Sequence, residues 1–114
     1  MVKIWVDDVR PAPEDYVWVK STNQFLRLFN SAVANSADPL NIEEISLDHD
    51  AGDFRGDGED YINILNQLET FYHTTMFDRN RVLINNIKFT IHSQNPVGVE
   101  NMRRIIKRNG WKEV

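Results

Sequence analysis

Val2-Lys3-Ile4-Trp5-Val6-Asp7-Asp8 opens the chain with a short run of strand formers cut off by two adjacent carboxylates. The arrangement returns twice. Glu44-Ile45-Ser46-Leu47 runs into Asp48-His49-Asp50, and Ile87-Lys88-Phe89-Thr90-Ile91 runs into His92-Ser93. Between these strands lie stretches with apolar residues at helical spacing. Strands alternating with helices predict an α/β fold: a mostly parallel sheet of four to five strands, in a three-layer sandwich with helices on both faces.

Outward from those strands, the punctuation places the other elements. Tyr16-Val17-Trp18-Val19 reads as the second strand, reached through a link of about nine residues that Pro11 and Pro13 keep non-helical. A usual parallel crossover takes about a dozen residues. The link is therefore either a compressed loop or the route to an antiparallel edge strand, and the parallel form is expected. Ser21 and Gln24 have capping-box spacing, and Phe25, Leu28, Phe29 and Ala32 share one helical face. Asp38-Pro39 lies in the following connection. Gly52 to Gly58 is a loop. A helix from about Glu59 buries Tyr61, Ile64, Leu65, Leu68 and Tyr72. Residues 73–86 have no clean period and read as a helix end and a long loop, with His73 at that helix end as a surface imidazole. Asn95-Pro96 supplies an N-cap and a first-turn proline; Val99, Met102, Ile105 and Ile106 face inward, and Gly110 ends the helix. Trp111-Lys112-Glu113-Val114 is a candidate edge strand.

With 114 residues the chain fits one domain, residues 1–114. It has no cysteine, which excludes a disulfide framework, a Cys-ligated metal and a thiol nucleophile. No apolar run approaches the ~20 residues that span a bilayer. Charge comes too early for a signal peptide, so a soluble cytoplasmic protein with no membrane partner is expected. The net charge of −4 is unevenly spread: −8 over residues 1–60 and +4 over residues 61–114. The basic end, Arg103 to Lys112, is either a solvated helix face or a phosphate-contacting surface.

In a doubly wound sheet, ligands bind outside the carboxyl ends of the strands. If the strand order is 2-1-3-4, the groups after the first, third and fourth strands share one crevice. Asp7-Asp8 either stops a strand or holds a cation, since adjacent carboxylates repel unless one bridges them. Asp48, directly after an apolar strand, is at least half-buried and needs a partner. Hard oxygen donors fit Mg²⁺, Mn²⁺ or Ca²⁺, and the histidines keep Mn²⁺ and Zn²⁺ open. His49 and His92 are either satisfied core histidines or an acid–base pair. Asn95 is first an N-cap; the free N–H groups of its helix, with Gly98 removing side-chain bulk, make a phosphate seat.

The stretches Trp5-Val6-Asp7-Asp8-Val9-Arg10-Pro11, Ser46-Leu47-Asp48-His49-Asp50 and His92-Ser93-Gln94-Asn95-Pro96-Val97-Gly98 resemble the hallmarks of the cyclic-phosphate-processing receiver family. Ile4 to Asp8 and Ile45 to Asp48 likewise resemble the first and third strands of two-component receiver domains. The resemblance implies a receiver/flavodoxin-like fold. It further implies that Asp7, Asp8 and Asp48 hold a divalent metal, with Mg²⁺ expected and Mn²⁺ its alternative. His49 and His92 would be the acid–base pair, with Asp50 beside them and Arg10, Ser93, Asn95 and Gly98 around the phosphate.

The implied activity is metal-dependent hydrolytic opening of 2′,3′-cyclic phosphates on nucleotides or RNA ends, a phosphoric diester hydrolase acting in RNA repair or nucleotide signalling. That would put RNA-repair proteins among its partners. Two alternatives stand beside it. In the first, Asp48 is the phospho-acceptor of a switch, for which Ser93 or Thr90 would supply the hydroxyl and Lys112 is the only candidate lysine. In the second, the chain binds a cyclic nucleotide or RNA end without turnover, with the basic last helix and Trp5 or Tyr16 assisting. Binding along an extended nucleic acid is disfavoured by the acidic first half.

Overall fold

The computed structural model describes residues 2–34 and 41–114, so the Asp38-Pro39 connection lies outside the described residues. Five strands, β1 (Val2–Val6), β2 (Tyr16–Val19), β3 (Ile42–Leu47), β4 (Lys88–Ile91) and β5 (Lys112–Glu113), form one sheet in the order β2-β1-β3-β4-β5. Every neighbouring pair is parallel. Helices α1 (Thr22–Ala34), α2 (Ile62–Thr74), α3 (Asp78–Asn85) and α4 (Pro96–Arg108) connect them. This is a receiver/flavodoxin-like α/β fold with the expected strand order.

The link from β1 to β2 is the compressed loop. Its nine residues can reach up to ~30 Å, while a five-residue strand is only about 17 Å long. The chain therefore returns to a parallel start without a helix. Two indoles hold the loop: Trp5 Nε1 donates to Arg10 O at 3.0 Å, and Trp18 Nε1 donates to Asp7 O at 2.8 Å.

Strand alternation sorts the sheet into two unlike faces. Ile4, Val6, Val19, Ile45, Leu47 and Phe89 are buried in the core cluster beneath the helices. The alternate positions Lys3, Trp5, Tyr16, Trp18, Glu44, Lys88 and Thr90 are half-buried or exposed, and among these alternates only Ser46 is buried. α2 packs against both α1 and α4, which makes one helical layer. Handedness explains it. The steps β2→β3, β3→β4 and β4→β5 all move the same way across the sheet, and right-handed crossovers then deliver every helix to the same face. The one step in the other direction is the helix-free loop. Helices were expected on both faces; among the described residues they cover one.

Two element boundaries also differ from expectation. Glu59 has φ +67°, outside helical space, so α2 starts at Ile62 instead of about Glu59. Residues 73–86, expected as a helix end and a long loop, contain α3. That helix buries only Asn80 and Ile84, too few positions to show a period. Polar contacts anchor it instead. Arg81 donates to the carbonyls of Tyr72 and Thr75 at the end of α2, and Asn80 Nδ2 donates to Thr75 Oγ1. The start of α1 follows the capping pattern with a shift. Ser21 Oγ accepts from Gln24 N, while Gln24 Oε1 accepts from Lys20 N, one residue before the cap.

α2 is tied to α4 by Glu69, whose carboxylate accepts from the Arg108 guanidinium at 2.6 and 2.7 Å and from Asn109 Nδ2 at 2.6 Å. These bonds hold the Glu69 pKa down at about 2. A depressed carboxylate stabilises the fold above its unfolded pKa, and that contribution is lost as pH falls through the folded value. Glu69→Gln is therefore expected to lower Tm at neutral pH, with the gap to wild type closing between about pH 4.5 and pH 2. Thermal melts across that range check it; a gap independent of pH would mean that the pair contributes nothing as an ion pair.

Candidate functional site

The three polar strand ends converge. Asp48 N donates to Val6 O and His92 N to Leu47 O, so β1, β3 and β4 end at one level and their next residues sit side by side. Asp7 is nearly sealed, at 1% exposure. Its Oδ1 accepts from the N–H groups of Val9 and Arg10, both at 2.9 Å, and its Oδ2 lies 3.0 Å from His92 Nε2. Burial opposes the charge of Asp7, but these bonds outweigh it and hold the pKa below the ordinary value.

Asp8 goes the other way. Burial is the largest cause of its raised pKa, and the charges of Asp7 and Asp48 push in the same direction. Asp7, Asp8 and Asp48 each offer a carboxylate oxygen within 4.8 Å of the other two. Three mutually repelling carboxylates at that separation are a donor set that could hold a hard divalent cation. A second group, His49, Asp50 and Asp60, meets the same distance criterion alongside.

The two histidines, paired in the sequence reading, are placed differently. His92 has both ring nitrogens engaged: Nε2 with Asp7, and Nδ1 with Ser46 Oγ at 2.8 Å. Its ring is stacked on Trp5 at 3.8 Å between centroids and 5° between planes. Because the Asp7 carboxylate only accepts, Nε2 carries the proton; burial lowers the His92 pKa against the pull of Asp7, which favours the neutral ring. His49 has one nitrogen engaged. Its Nδ1 lies 2.8 Å from Asp50 Oδ1, with Asn95 Nδ2 at 3.5 Å, and its Nε2 makes no hydrogen bond among the described residues. The His49 bond is the main cause that lowers the Asp50 pKa.

Arg10 is exposed and spends one N–H on His92 O at 3.1 Å, and the other donors of its guanidinium have no partner among the described residues. Ser93 Oγ accepts from Asn95 N, and Asn95 Oδ1 accepts from Gly98 N at 3.0 Å. The Gly98 N–H is thus taken by the cap. Its missing side chain makes room for His49, because a Cβ there would lie 2.4 Å from His49 Cγ. Gly52 plays the same part for Asp8: at φ +54°, a Cβ would sit 2.1 Å from Asp8 Oδ2. The loop carrying Gly52 is fastened to the start of α1 by Asp57, which accepts from Ser21 Oγ and Asn23 Nδ2.

Sequence reasoning missed Ser46, Asp60 and Gly52. Ser46 had a signal, a hydroxyl between Ile45 and Leu47 two residues before Asp48. Asp60 and Gly52 read as helix-start and turn residues, and only the folded loop turns them toward the site.

Two outcomes test this geometry. Gly98→Ala is expected to displace the His49 ring and destabilise the fold by about 1–3 kcal/mol, visible as a lower Tm and a shifted imidazole resonance. Asp8→Asn is expected to raise Tm without divalent cation, by removing repulsion; wild type is expected to gain about 2.7 kcal/mol from Mg²⁺ or Mn²⁺ at a hundredfold excess over Kd, and the variant none. A cation response retained in Asp8→Asn would remove that residue from the metal set.

No curated protein and no solved structure matches the chain. Residues 2–108 match the family model described as the cyclic-phosphate processing receiver domain, a span that takes in all three strand-end motifs and α4. The chain belongs to the cyclic-phosphate processing receiver domain family.

Proposed function

We propose that the chain is a metal-dependent phosphodiesterase that opens 2′,3′-cyclic phosphates, on free nucleotides or on RNA ends. The observation that carries this reading is the Asp7–Asp8–Asp48 carboxylate cluster beside a histidine whose free nitrogen is backed by a carboxylate. Asp7, Asp8 and Asp48 would hold a hard divalent cation, Mg²⁺ or Mn²⁺. When bound, such a cation neutralises the phosphoryl oxygens and the charge that develops on the leaving ribose oxygen.

The chain's own residues supply the rest. Asp50 fixes the Nδ1–H tautomer of His49, so Nε2 is the lone pair that accepts a proton from the attacking water. As the water oxygen bonds to phosphorus, one ring P–O bond breaks and the released ribose oxygen takes a proton from solvent, to which His49 returns the one it accepted. The product is a phosphomonoester beside a free hydroxyl. Free guanidinium N–H groups of Arg10 orient the phosphate. Asn95 holds the His49–Asp50 pair, with Nδ2 3.4 Å from Asp50 Oδ1. His92 is a positioning residue in this scheme, because its N–H holds Asp7 and its ring is pinned between Ser46 and Trp5.

The switch reading needs a lysine beside Asp48. Lys112 is instead in register with Lys88 and Glu44, four residues earlier along the sheet and about 13 Å from the level of Asp48. Thr90 pairs with Ser46 on the helix-free face. The hydrolytic reading is therefore preferred.

Incubation with 2′,3′-cyclic nucleotides is expected to give ring opening with Mg²⁺ or Mn²⁺ and none with EDTA. Asp48→Asn should be inactive, and His49→Ala should lose about 10²–10⁴ in rate. Full activity in His49→Ala would overturn the assignment of the base. Wild type that binds nucleotide and metal, seen as a thermal shift, without turnover would make the chain a binding module.

A further inference from the structure

The helix-free face of the sheet is a surface that the hydrolytic reading leaves unused. Register sets its residues in two lateral rows. Nearest the crevice runs Trp18–Trp5–Ser46–Thr90, and beyond it runs Tyr16–Lys3–Glu44–Lys88–Lys112. Neighbours within a row are ~4.8 Å apart, and the rows are about 7 Å apart.

Charge on this face opposes that of the chain. The net charge is −4 overall, yet the row sets Lys3, Lys88 and Lys112 beside one carboxylate, Glu44, which the Tyr16 hydroxyl already engages, with the charge of Glu43 reaching the row only at its Tyr16 end. Lys88 and Lys112 are exposed and paired with each other across β4 and β5, and neither forms an ion pair among the described residues. Like charges directly opposite each other cost stability, and a polyanion is the ligand that reverses that cost.

The row next to it is aromatic. Trp5 carries His92 on its ring, Tyr16 meets Trp5 edge-on at 6.0 Å, and the Lys20 ammonium lies 4.3 Å over Trp18. Trp5, Trp18 and Tyr16 are half-buried on a face with no helix above them among the described residues. Rings beside cations on an open sheet match single-stranded RNA, whose bases stack on aromatic faces while its phosphates meet lysines. A protein partner fits less well, because none of the exposed large apolar residues (Val9, Val17, Met76, Phe77, Val82, Val97 and Val114) belongs to either row.

We propose that this face is a platform for single-stranded RNA, which the lysine row holds by its phosphates and the Trp5–Trp18 row by its bases, so that the 3′ end reaches the Asp7–Asp48–His49 crevice. The chemistry at that end rests on the cyclic-phosphate reading; the platform is read by binding alone. It makes an RNA end, more than a mononucleotide, the ligand of this chain.

The test is a fluorescence-anisotropy titration of the full chain with two short labelled oligoadenylates, one ending in a 3′-hydroxyl and one in a 2′,3′-cyclic phosphate. Both are expected to bind. The slope of log affinity against log salt should fall by about 0.7 for each of Lys88→Gln and Lys112→Gln. The double variant Lys88→Glu/Lys112→Glu should weaken binding at least about tenfold, with an unchanged melt showing that it folds. Arg104→Glu/Lys107→Glu, on the basic side of α4, should bind as wild type does. Intrinsic tryptophan fluorescence should change with the oligomer and stay constant with inorganic polyphosphate. Binding that survives the Lys88/Lys112 reversal, or is lost in the α4 variant instead, overturns the proposal. So does the absence of oligomer binding in a protein that still opens cyclic mononucleotides. Lysine-dependent binding without ring opening would instead sustain the platform and remove the hydrolytic reading.

Discussion

A carboxylate sealed at 1% exposure at the end of β1 governs the carboxyl edge of this sheet. An ionised Asp7 in that position would cost several kcal/mol without compensation, and its partners come from separate parts of the chain. Val9 and Arg10 donate from the loop that replaces a helix, and His92 donates from the far side of β3. His92 is in turn held by Ser46 and by the face of Trp5. One buried charge thus couples the end of β1, the β1–β2 loop, β3 and the end of β4. The residues that remove its cost are those that frame the crevice.

The helix-free β1–β2 loop has a second consequence. With three crossovers in one direction and none in the other, the described helices lie on one face, and the opposite face stays open beside the site. Two indoles that a covering helix would bury instead donate to the loop and fix its backbone around Asp7. The same short connection therefore shapes the acidic crevice from above and leaves an aromatic, basic face below.

Much of this was legible in the residues. Strand runs ending in Asp7-Asp8, Asp48-His49-Asp50 and His92-Ser93 marked both the sheet and its reactive edge, because period-two apolar runs and polar stops are local signals. Asn95-Pro96 marked the start of α4 for the same reason. α3 was not legible: it is held by Arg81 and Asn80 bonding to the end of α2, and such contacts leave no apolar period. Nor was the unlikeness of the two histidines. His92 directly follows β4 and His49 stands one residue further beyond β3, but only the neighbours brought by other strands, Ser46 and Trp5, occupy the ring of His92.

By itself the sequence determined the α/β class and the polar groups that end three of its strands, and it made their convergence conditional on the strand order that the sheet then showed. Those follow from local periodicity and from the rule that places ligands at the carboxyl ends of parallel strands. Tertiary structure decided which nitrogen is free, why Gly98 and Gly52 have no side chain, and where Lys112 stands. It also decided which face of the sheet the helices cover. Each of these depends on the register of strands distant in sequence and on the hand of their crossovers, which a linear pattern does not encode.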